Sequence, residues 1–196
     1  HTYALQDSPF LHIDGDVFIW KPFPKELLQA PLIAQNLERN LPNYLECLAA
    51  MKKHFDFIPD YFERSQFRKS DLLASNAGIF GGNQIDFFKQ LKKEAFKLLD
   101  RNRKDFDKVP IGYMNIMSEQ YLFDLIAEQN DIPISYLIKQ VAEPPNYLEL
   151  NLFSRVPRYR NYIHIMGAKK NTVTCHQMAL MLYRENEQLY KQCFEV

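Results

Sequence analysis

The sequence predicts an α/β fold, in which short strands alternate with longer helices. Apolar runs rich in β-branched and aromatic residues alternate along the chain with segments whose apolar residues recur at helical spacing. Hydrophobic residues make up 46% of the chain and charged residues 24%, which is typical of a globular protein rather than a disordered one. The 196 residues suffice for a sizeable core, so we expect a single domain over 1–196.

Charge and cysteine content exclude several classes of protein. The 24 Lys and Arg residues balance 24 Asp and Glu residues, so no global charge attracts nucleic acid or an anionic membrane. No apolar stretch is long enough for a transmembrane segment, and no signal peptide is recognisable. Cys47, Cys175 and Cys193 are odd in number and scattered, which favours a reducing, cytoplasmic compartment over a disulfide framework.

The first part of the chain predicts mostly short elements. Three strands are predicted before the first long helix, at residues 10–13, 17–20 and 31–34. Pro24 can begin a short helix over 24–28, because its fixed φ suits a first helical position. A longer helix is predicted over 43–54, with Asn43 as its candidate N-cap. Its predicted buried face consists of Leu45, Leu48 and Met51.

The rest of the chain predicts three long helices and three strands. Asn83 is the candidate cap of the first of these helices. Its predicted buried stripe consists of Ile85, Phe88, Leu91, Ala95 and Leu99. A second helix is predicted over 114–129 and a last one over 172–194. A short strand broken by glycines is predicted within 75–83, and further strands at 132–138 and 162–165.

Asp14 and Asp16 stand out because they interrupt an otherwise apolar sequence, where an unpaired buried carboxylate is costly. Period-two alternation places His12, Asp14 and Asp16 on one side of the chain. Oxygen ligands of this kind suit Mg²⁺ or Mn²⁺, which usually also hold substrate phosphates, and Gly15 permits the close approach of a ligand. The alternative is a pair of turn or cap residues, since Asp-x-Asp occurs often by chance.

A glycine-rich stretch begins at Asn76 and is the second candidate site. Gly78, Gly81 and Gly82 would let backbone approach a ligand closely, and the Asn76 side chain can both donate and accept hydrogen bonds. The alternative is a tight turn between a strand and a helix. The glycine spacing matches neither a P-loop nor a dinucleotide-binding fingerprint.

The stretch from His164 to Lys170 is the third candidate. A neutral imidazole is a good ligand for an ion such as Mn²⁺, and Lys170 offers a point charge for phosphate. Gly167 allows a backbone N–H to contact the same phosphate. The alternative is a core or surface histidine close to the start of a helix.

Glu119 and Gln120, on the predicted helix over 114–129, are the fourth candidate. If Met117 and Tyr121 face inward, Gln120 lies at the edge of the buried stripe and could reach a cleft. The alternative is a solvated helix face. A second Glu-Gln pair near the end of the same helix shows how little such a pair specifies alone.

Taken in order, these four features resemble the GT-A glycosyltransferases, especially the glycogenin-like and lipopolysaccharide galactosyltransferase-like family (glycosyltransferase family 8). That family has an Asp-x-Asp after an apolar strand, then an Asn-x-Gly strand, an acid-Gln pair, and near the end a His-x-x-Gly-x-x-Lys. The matching residues are Asp14, Asp16, Asn76, Gly78, Glu119, Gln120, His164, Gly167 and Lys170. A bacterial family with a His-Ile-Asp-x-Asp-Val-Phe-x-Trp-Lys-Pro stretch is more similar still.

The resemblance implies a metal and a nucleotide-diphospho-sugar as cofactor and donor. Asp14 would contact the ribose and the metal, Mn²⁺ or Mg²⁺. Asp16 would chelate the metal directly, and His164 would be its third protein ligand. Gly167 and Lys170 would hold the diphosphate.

The resemblance also implies where the sugar and the acceptor bind. Asn76, Gly78 and Gln120 would lie near the donor sugar and the acceptor, a carbohydrate or another hydroxyl compound. The candidate catalytic residues are therefore Gln120, Glu119 and Asn76. The implied fold is a GT-A-like mixed sheet flanked by helices.

The chain departs from this family in two places. Family enzymes have a long stretch before the Asp-x-Asp, which builds the first strands and the nucleotide-base pocket, whereas 13 residues precede Asp14 here. Since the first residue is His1 and not Met, we expect a domain truncated at its N-terminus that lacks those strands. The Lys-Pro-Trp that often closes the last motif is replaced by Lys170-Asn171-Thr172, which leaves the fine specificity open.

We therefore expect a metal-dependent glycosyltransferase that moves a sugar from a nucleotide-diphospho-sugar to a hydroxyl acceptor. One alternative is a non-catalytic module of transferase-like fold that binds carbohydrate or a protein partner. Another is an aspartate-nucleophile phosphatase, but such enzymes expect Thr or Val two residues after the second Asp, where this chain has Phe18. The expected location is the cytoplasm, with a peripheral position at the inner face of the membrane left open, and the sequence does not define an oligomeric state.

Overall fold

Strands and helices alternate along the chain, and a mixed sheet is accompanied by helices, which confirms the general α/β class. The computed structural model describes residues 1–64, 71–144, 149–166 and 171–193. Its chain divides into two units: unit 1 comprises His1–Asp14 and Phe23–Tyr147, and unit 2 comprises Gly15–Pro22 and Leu148–Val196. The single domain expected from the sequence stays a prediction.

Most predicted elements are found, together with a strand at Leu37–Arg39 that the sequence did not predict. The strands are β1 (Phe10–Ile13), β2 (Val17–Ile19), β3 (Leu32–Ala34), β4 (Leu37–Arg39), β5 (Leu73–Ser75), β6 (Ile79–Gly82), β7 (Ile134–Tyr136) and β8 (Tyr162–His164). The α-helices are α1 (Lys25–Leu28), α2 (Pro42–His54), α3 (Tyr61–Arg64), α4 (Ile85–Arg101), α5 (Met114–Ile116), α6 (Leu122–Gln129), α7 (Thr172–Glu185) and α8 (Glu187–Gln192). A π-helical turn, Met117–Tyr121, joins α5 to α6.

Unit 1 contains a four-stranded mixed sheet in the order β1-β6-β3-β7. Strands β1 and β3 run antiparallel to β6, and β7 runs parallel to β3. All three residues of β3 are buried, which agrees with its uninterrupted apolar sequence. A second ladder in unit 1 pairs β4 with β5.

The glycines of β6 are required by neighbouring backbone. A Cβ atom on Gly81 would collide with the carbonyl oxygen of Phe10 in β1, and one on Gly82 would collide with the carbonyl oxygen of Pro31. Gly82 also has a φ of 141°, in a region that residues with a side chain rarely adopt. These two glycines therefore serve the close approach of strands, rather than the approach of a ligand considered from the sequence.

The helices of unit 1 bury aromatic and aliphatic side chains, although two predicted details are wrong. The N-cap residues of α2 and α4 are Leu41 and Gln84, instead of Asn43 and Asn83. The buried face of α2 consists of Tyr44, Cys47 and Met51, whereas the predicted Leu45 is exposed. In α4 the buried residues are Phe87, Phe88, Leu91 and Leu98. Both helices thus begin at residues other than those predicted, and Phe88 of α4 packs against Phe10 and Phe80 of the sheet.

Unit 2 has a two-stranded antiparallel ladder of β2 and β8 and a small apolar core. That core consists of Phe153, Val156, Ile163 and Ile165, with Phe18, Trp20, Met178 and Met181 packed against it. The single last helix predicted over 172–194 is wrong, because α7 ends at Glu185 and α8 begins at Glu187. Asn186 caps α8 by accepting a hydrogen bond from the Leu189 N–H at 3.0 Å, and the predicted end at 194 lies outside the described residues.

Within the described ranges, none of the helices combines the length and the apolar character needed to cross a bilayer.

Candidate active site

Asp16 and His164 lie beside one another in unit 2. The antiparallel pairing of β2 with β8 places Val17 opposite His164, and the Ile165 N–H donates to the Asp16 carbonyl at 3.0 Å. His164 Nε2 lies 3.4 Å from Asp16 Oδ1, and the two side chains are 6% and 24% exposed. An imidazole nitrogen and a carboxylate oxygen thus face each other at a partly accessible point of this ladder.

Asp14 is the last residue of unit 1 before the division at Gly15. Its N–H donates to the Gly78 carbonyl at 3.1 Å, and its Oδ1 lies 3.2 Å from His12 Nε2. Both side chains are more than a third exposed. Because only Gly15 separates Asp14 from Asp16, covalent geometry keeps their Cα atoms within about 7 Å of each other.

Glu119 lies in the π-helical turn and is held by the first turn of the chain. The Tyr3 hydroxyl donates to Glu119 Oε1 at 2.6 Å. Burial raises the pKa of the Glu119 carboxyl, and the negative charge of Asp14 adds to this, while the Tyr3 hydrogen bond and His12 act in the opposite direction. π-helical turns occur frequently at functional sites, and this one contains both Glu119 and Gln120.

Glu38 is a buried carboxylate of β4 that contacts two other polar side chains. Its Oε1 accepts a hydrogen bond from Asn76 Nδ2 at 2.9 Å, and its Oε2 lies 2.8 Å from the Tyr44 hydroxyl. The same hydroxyl lies 2.8 Å from Gln120 Oε1. Since Glu38 is 3% exposed, these contacts lie in the interior of unit 1.

The hydrogen bonds that join Gln120, Tyr44, Glu38 and Asn76 continue from Asn76 to Asp14. Asn76 Oδ1 accepts from the Gly78 N–H at 2.9 Å, and the Gly78 carbonyl accepts from the Asp14 N–H. Both polar ends of the Asn76 side chain are thus used inside unit 1, where Asn76 is 7% exposed. Unit 1 therefore joins Asp14, Asn76, Gly78 and Gln120 through one continuous hydrogen-bonded path.

Sequence reasoning missed three members of this arrangement: Tyr3, Glu38 and Tyr44. The sequence offers a signal for Glu38, because Gln35, Asn36 and Glu38 come soon after the apolar run Leu32–Ala34. In the structure all three polar residues are buried. Buried polar residues in such a position need hydrogen-bond partners, which identifies them as a structural or functional cluster. Tyr3 and Tyr44 carry no comparable local signal.

Gly167 and Lys170, the predicted diphosphate contacts, lie outside the described residues.

The protein is thus an α/β protein with a carboxylate-imidazole pair and a buried path of hydrogen-bonded polar side chains. The sequence matches a described family over residues 1–196, and the chain belongs to that family: DUF6734, a family of unknown function. No curated protein and no solved structure matches the sequence. The resemblance to GT-A glycosyltransferases stays a prediction.

Proposed function

We propose that this protein is a metal-dependent glycosyltransferase with a GT-A-like fold, which moves a sugar from a nucleotide-diphospho-sugar to a hydroxyl acceptor. The observation that carries the proposal is the 3.4 Å separation between His164 Nε2 and Asp16 Oδ1. These residues come from distant motifs that the family resemblance assigns to one cation. A cytoplasmic location remains part of the proposal, since Cys47, Cys175 and Cys193 are all free thiols.

The proposed cation ligands are Asp14, Asp16 and His164, which offer two carboxylates and one imidazole. Carboxylate oxygens suit Mg²⁺ and Mn²⁺, and an added imidazole favours Mn²⁺ over Mg²⁺. Asp16 and His164 are neighbours within unit 2, and the peptide chain holds Asp14 close to Asp16. The His12 ring beside Asp14 would orient that carboxylate from behind, as outer partners of metal ligands commonly do.

In the proposed reaction, the bond between the anomeric carbon and the diphosphate oxygen breaks, and a bond from that carbon to the acceptor oxygen forms. A bound divalent ion would stabilise the negative charge of the departing diphosphate. Lys170 would add a positive charge to the same group. Gln120 would orient sugar or acceptor hydroxyls, and Glu119, whose carboxyl pKa is raised by burial, is our candidate for holding the proton released by the acceptor.

The test compares the wild-type chain with Asp16→Ala and with Asp86→Ala. Asp86 is an exposed acid paired with Lys89 at 2.8 Å, so its removal controls for the loss of a negative charge. Calorimetry with UDP- and GDP-sugars and Mn²⁺ is expected to show binding and slow hydrolysis of at least one donor. Both should be lost in Asp16→Ala and kept in Asp86→Ala. Unchanged donor binding in Asp16→Ala would refute the proposal, and no binding of any donor by the wild type would favour a non-catalytic module.

A further inference from the structure

Glu38 and Tyr44 connect Gln120 to the interior of unit 1. The hydrogen bond to which the Tyr44 hydroxyl gives its proton affects the orientation of the Gln120 side-chain amide. We infer that Glu38, acting through Tyr44, determines whether Gln120 presents its carbonyl oxygen or its amide N–H to a bound hydroxyl compound. The inference rests on the function proposed above insofar as that compound is a sugar. Glu38 and Tyr44 are thereby positioning residues, with no direct contact to substrate.

Burial separates the positioning residues from the residue that can meet a ligand. Glu38 and Tyr44 are 3% and 1% exposed. Gln120, at the other end of the contact, is only partly buried and lies in the π-helical turn. A ligand can therefore reach Gln120 but not the two residues behind it.

The Tyr44 hydroxyl has one proton, and two atoms, Glu38 Oε2 and Gln120 Oε1, lie 2.8 Å from its oxygen. The oxygen and nitrogen of a side-chain amide have nearly the same shape, so the hydrogen bonds around Gln120 decide which of the two faces Tyr44. A carboxylate oxygen accepts hydrogen bonds, and the Tyr44 hydroxyl donates its proton to Glu38 Oε2. The phenol oxygen can then only accept from Gln120, which requires the amide group of Gln120 to direct its N–H towards Tyr44. The carbonyl oxygen of Gln120 is left to face outward, where it accepts a hydrogen bond from a ligand hydroxyl.

Asn76 supports this direction of the hydrogen bonds. Its Nδ2 donates to Glu38 Oε1 at 2.9 Å, so both oxygens of Glu38 accept, as expected of a carboxylate. In Glu38→Gln, the new amide would keep accepting from Asn76 and would donate to the Tyr44 oxygen. Tyr44 would then donate to the Gln120 carbonyl, and Gln120 would turn its N–H outward.

The test measures the side-chain amide of Gln120 by NMR in the wild type, Glu38→Gln and Tyr44→Phe. In the wild type, an N–H held by the phenol should exchange slowly with solvent. Exchange should become faster in both variants. Tyr61→Phe is the matched control, because Tyr61 donates to Glu94 Oε2 at 3.2 Å elsewhere in unit 1 and its removal should leave the Gln120 amide unchanged. Equal exchange in the wild type, Glu38→Gln and Tyr44→Phe would overturn the inference.

Kinetics provide the second readout. Glu38→Gln and Tyr44→Phe should each lower kcat for donor hydrolysis by about 10- to 100-fold, because a misoriented group loses its positioning effect. Mn²⁺ affinity should stay within about twofold of wild type, since neither residue is a proposed ligand. Adding Glu38→Gln to Tyr44→Phe should lower kcat no further, whereas independent effects that multiply would contradict action through Tyr44. The amide measurement needs no ligand, so it decides the orientation of Gln120 even if the proposed transferase activity is wrong.

Discussion

Unit 1 and unit 2 hold their polar groups by different means. Unit 1 holds its polar side chains beside a large hydrophobic core that includes Tyr44, in which the rings of Phe80 and Phe123 lie 4.2 Å apart between centroids. Unit 2 holds the Asp16–His164 pair on a two-stranded ladder beside a small core. Its helix α7 also exposes apolar side chains, such as Val173 at 67%.

This difference shows which parts of the candidate site are fixed by folding alone. In unit 1 a buried polar group that lost its partner would keep its full desolvation cost, so the path from Gln120 to Asp14 is strongly specified. In unit 2 the Asp16–His164 pair is partly accessible and depends on a single ladder. We therefore expect unit 1 to respond strongly to changes in backbone and burial, and unit 2 to tolerate them.

A matched glycine substitution should give the largest difference between the units. Gly82→Ala in unit 1 forces a side chain into a positive φ and against the Pro31 carbonyl, so it should lower the free energy of unfolding by about 2–4 kcal/mol. At Gly15 in unit 2, no heavy atom of the described residues lies within 4 Å of an added Cβ, so Gly15→Ala should change stability by less than about 0.5 kcal/mol. Urea unfolding measures both, and similar losses would contradict the comparison.

The cysteines should show a second difference between the units. Cys47 in α2 is buried, and burial raises the pKa of its thiol from 9.0 to about 11, with a smaller contribution from Glu46. Cys175 and Cys193 in unit 2 are exposed. At pH 8 a thiol reagent should modify Cys175 and Cys193 readily and Cys47 only after unfolding.

The raised pKa of Cys47 also has a consequence for stability. The folded protein binds the thiol proton more tightly than the unfolded chain does. The contribution of this proton to the free energy of unfolding is therefore complete below pH 9.0 and is lost as the pH rises through about 11. Modification of all three thiols at one rate in native buffer would show that Cys47 is accessible in the native protein.

The smallest expected effect concerns Glu119. Burial is the main cause that raises its carboxyl pKa above 4.5. The contribution of the bound proton to stability is therefore present below pH 4.5 and is lost as the pH rises through the raised pKa. Glu119→Gln stays neutral, and the Tyr3 hydroxyl can still donate to it. The free energy of unfolding of Glu119→Gln, relative to wild type, should therefore increase between pH 4 and pH 7. A difference that stays constant over this range would contradict the burial of Glu119.

The sequence predicts local features of the fold well and their packing less well. The first strand is found at Phe10–Ile13 as predicted, because Pro9 and the turn at Gly15 and Asp16 bound an apolar run on both sides. The predicted N-cap residues of α2 and α4 are wrong. In α2, Pro42 occupies the first turn, where its fixed φ is favourable. The choice of Tyr44 rather than Leu45 as a buried residue depends on packing that no helical period reveals.

The sequence likewise indicates some residues of the candidate site but not how they pair. Asp16 and His164 were placed together by a family resemblance, since nothing in their spacing predicts the pairing of β2 with β8. The contact between Glu38 and Tyr44 joins a strand to the following helix, so neither period-two nor helical spacing could indicate it. The sequence therefore indicates the polar residues that interrupt apolar runs, but not the partners that these residues have in the interior.

The most direct test of the central claim is to locate Mn²⁺ on the ¹⁵N-labelled protein by paramagnetic broadening of its amide resonances. At substoichiometric Mn²⁺, we expect the amides of Gly15, Val17 and Ile165 to lose intensity first, and Asp16→Asn to abolish this pattern. Broadening centred instead on surface acids such as Asp86, with those three amides unaffected, would contradict the proposed cation site.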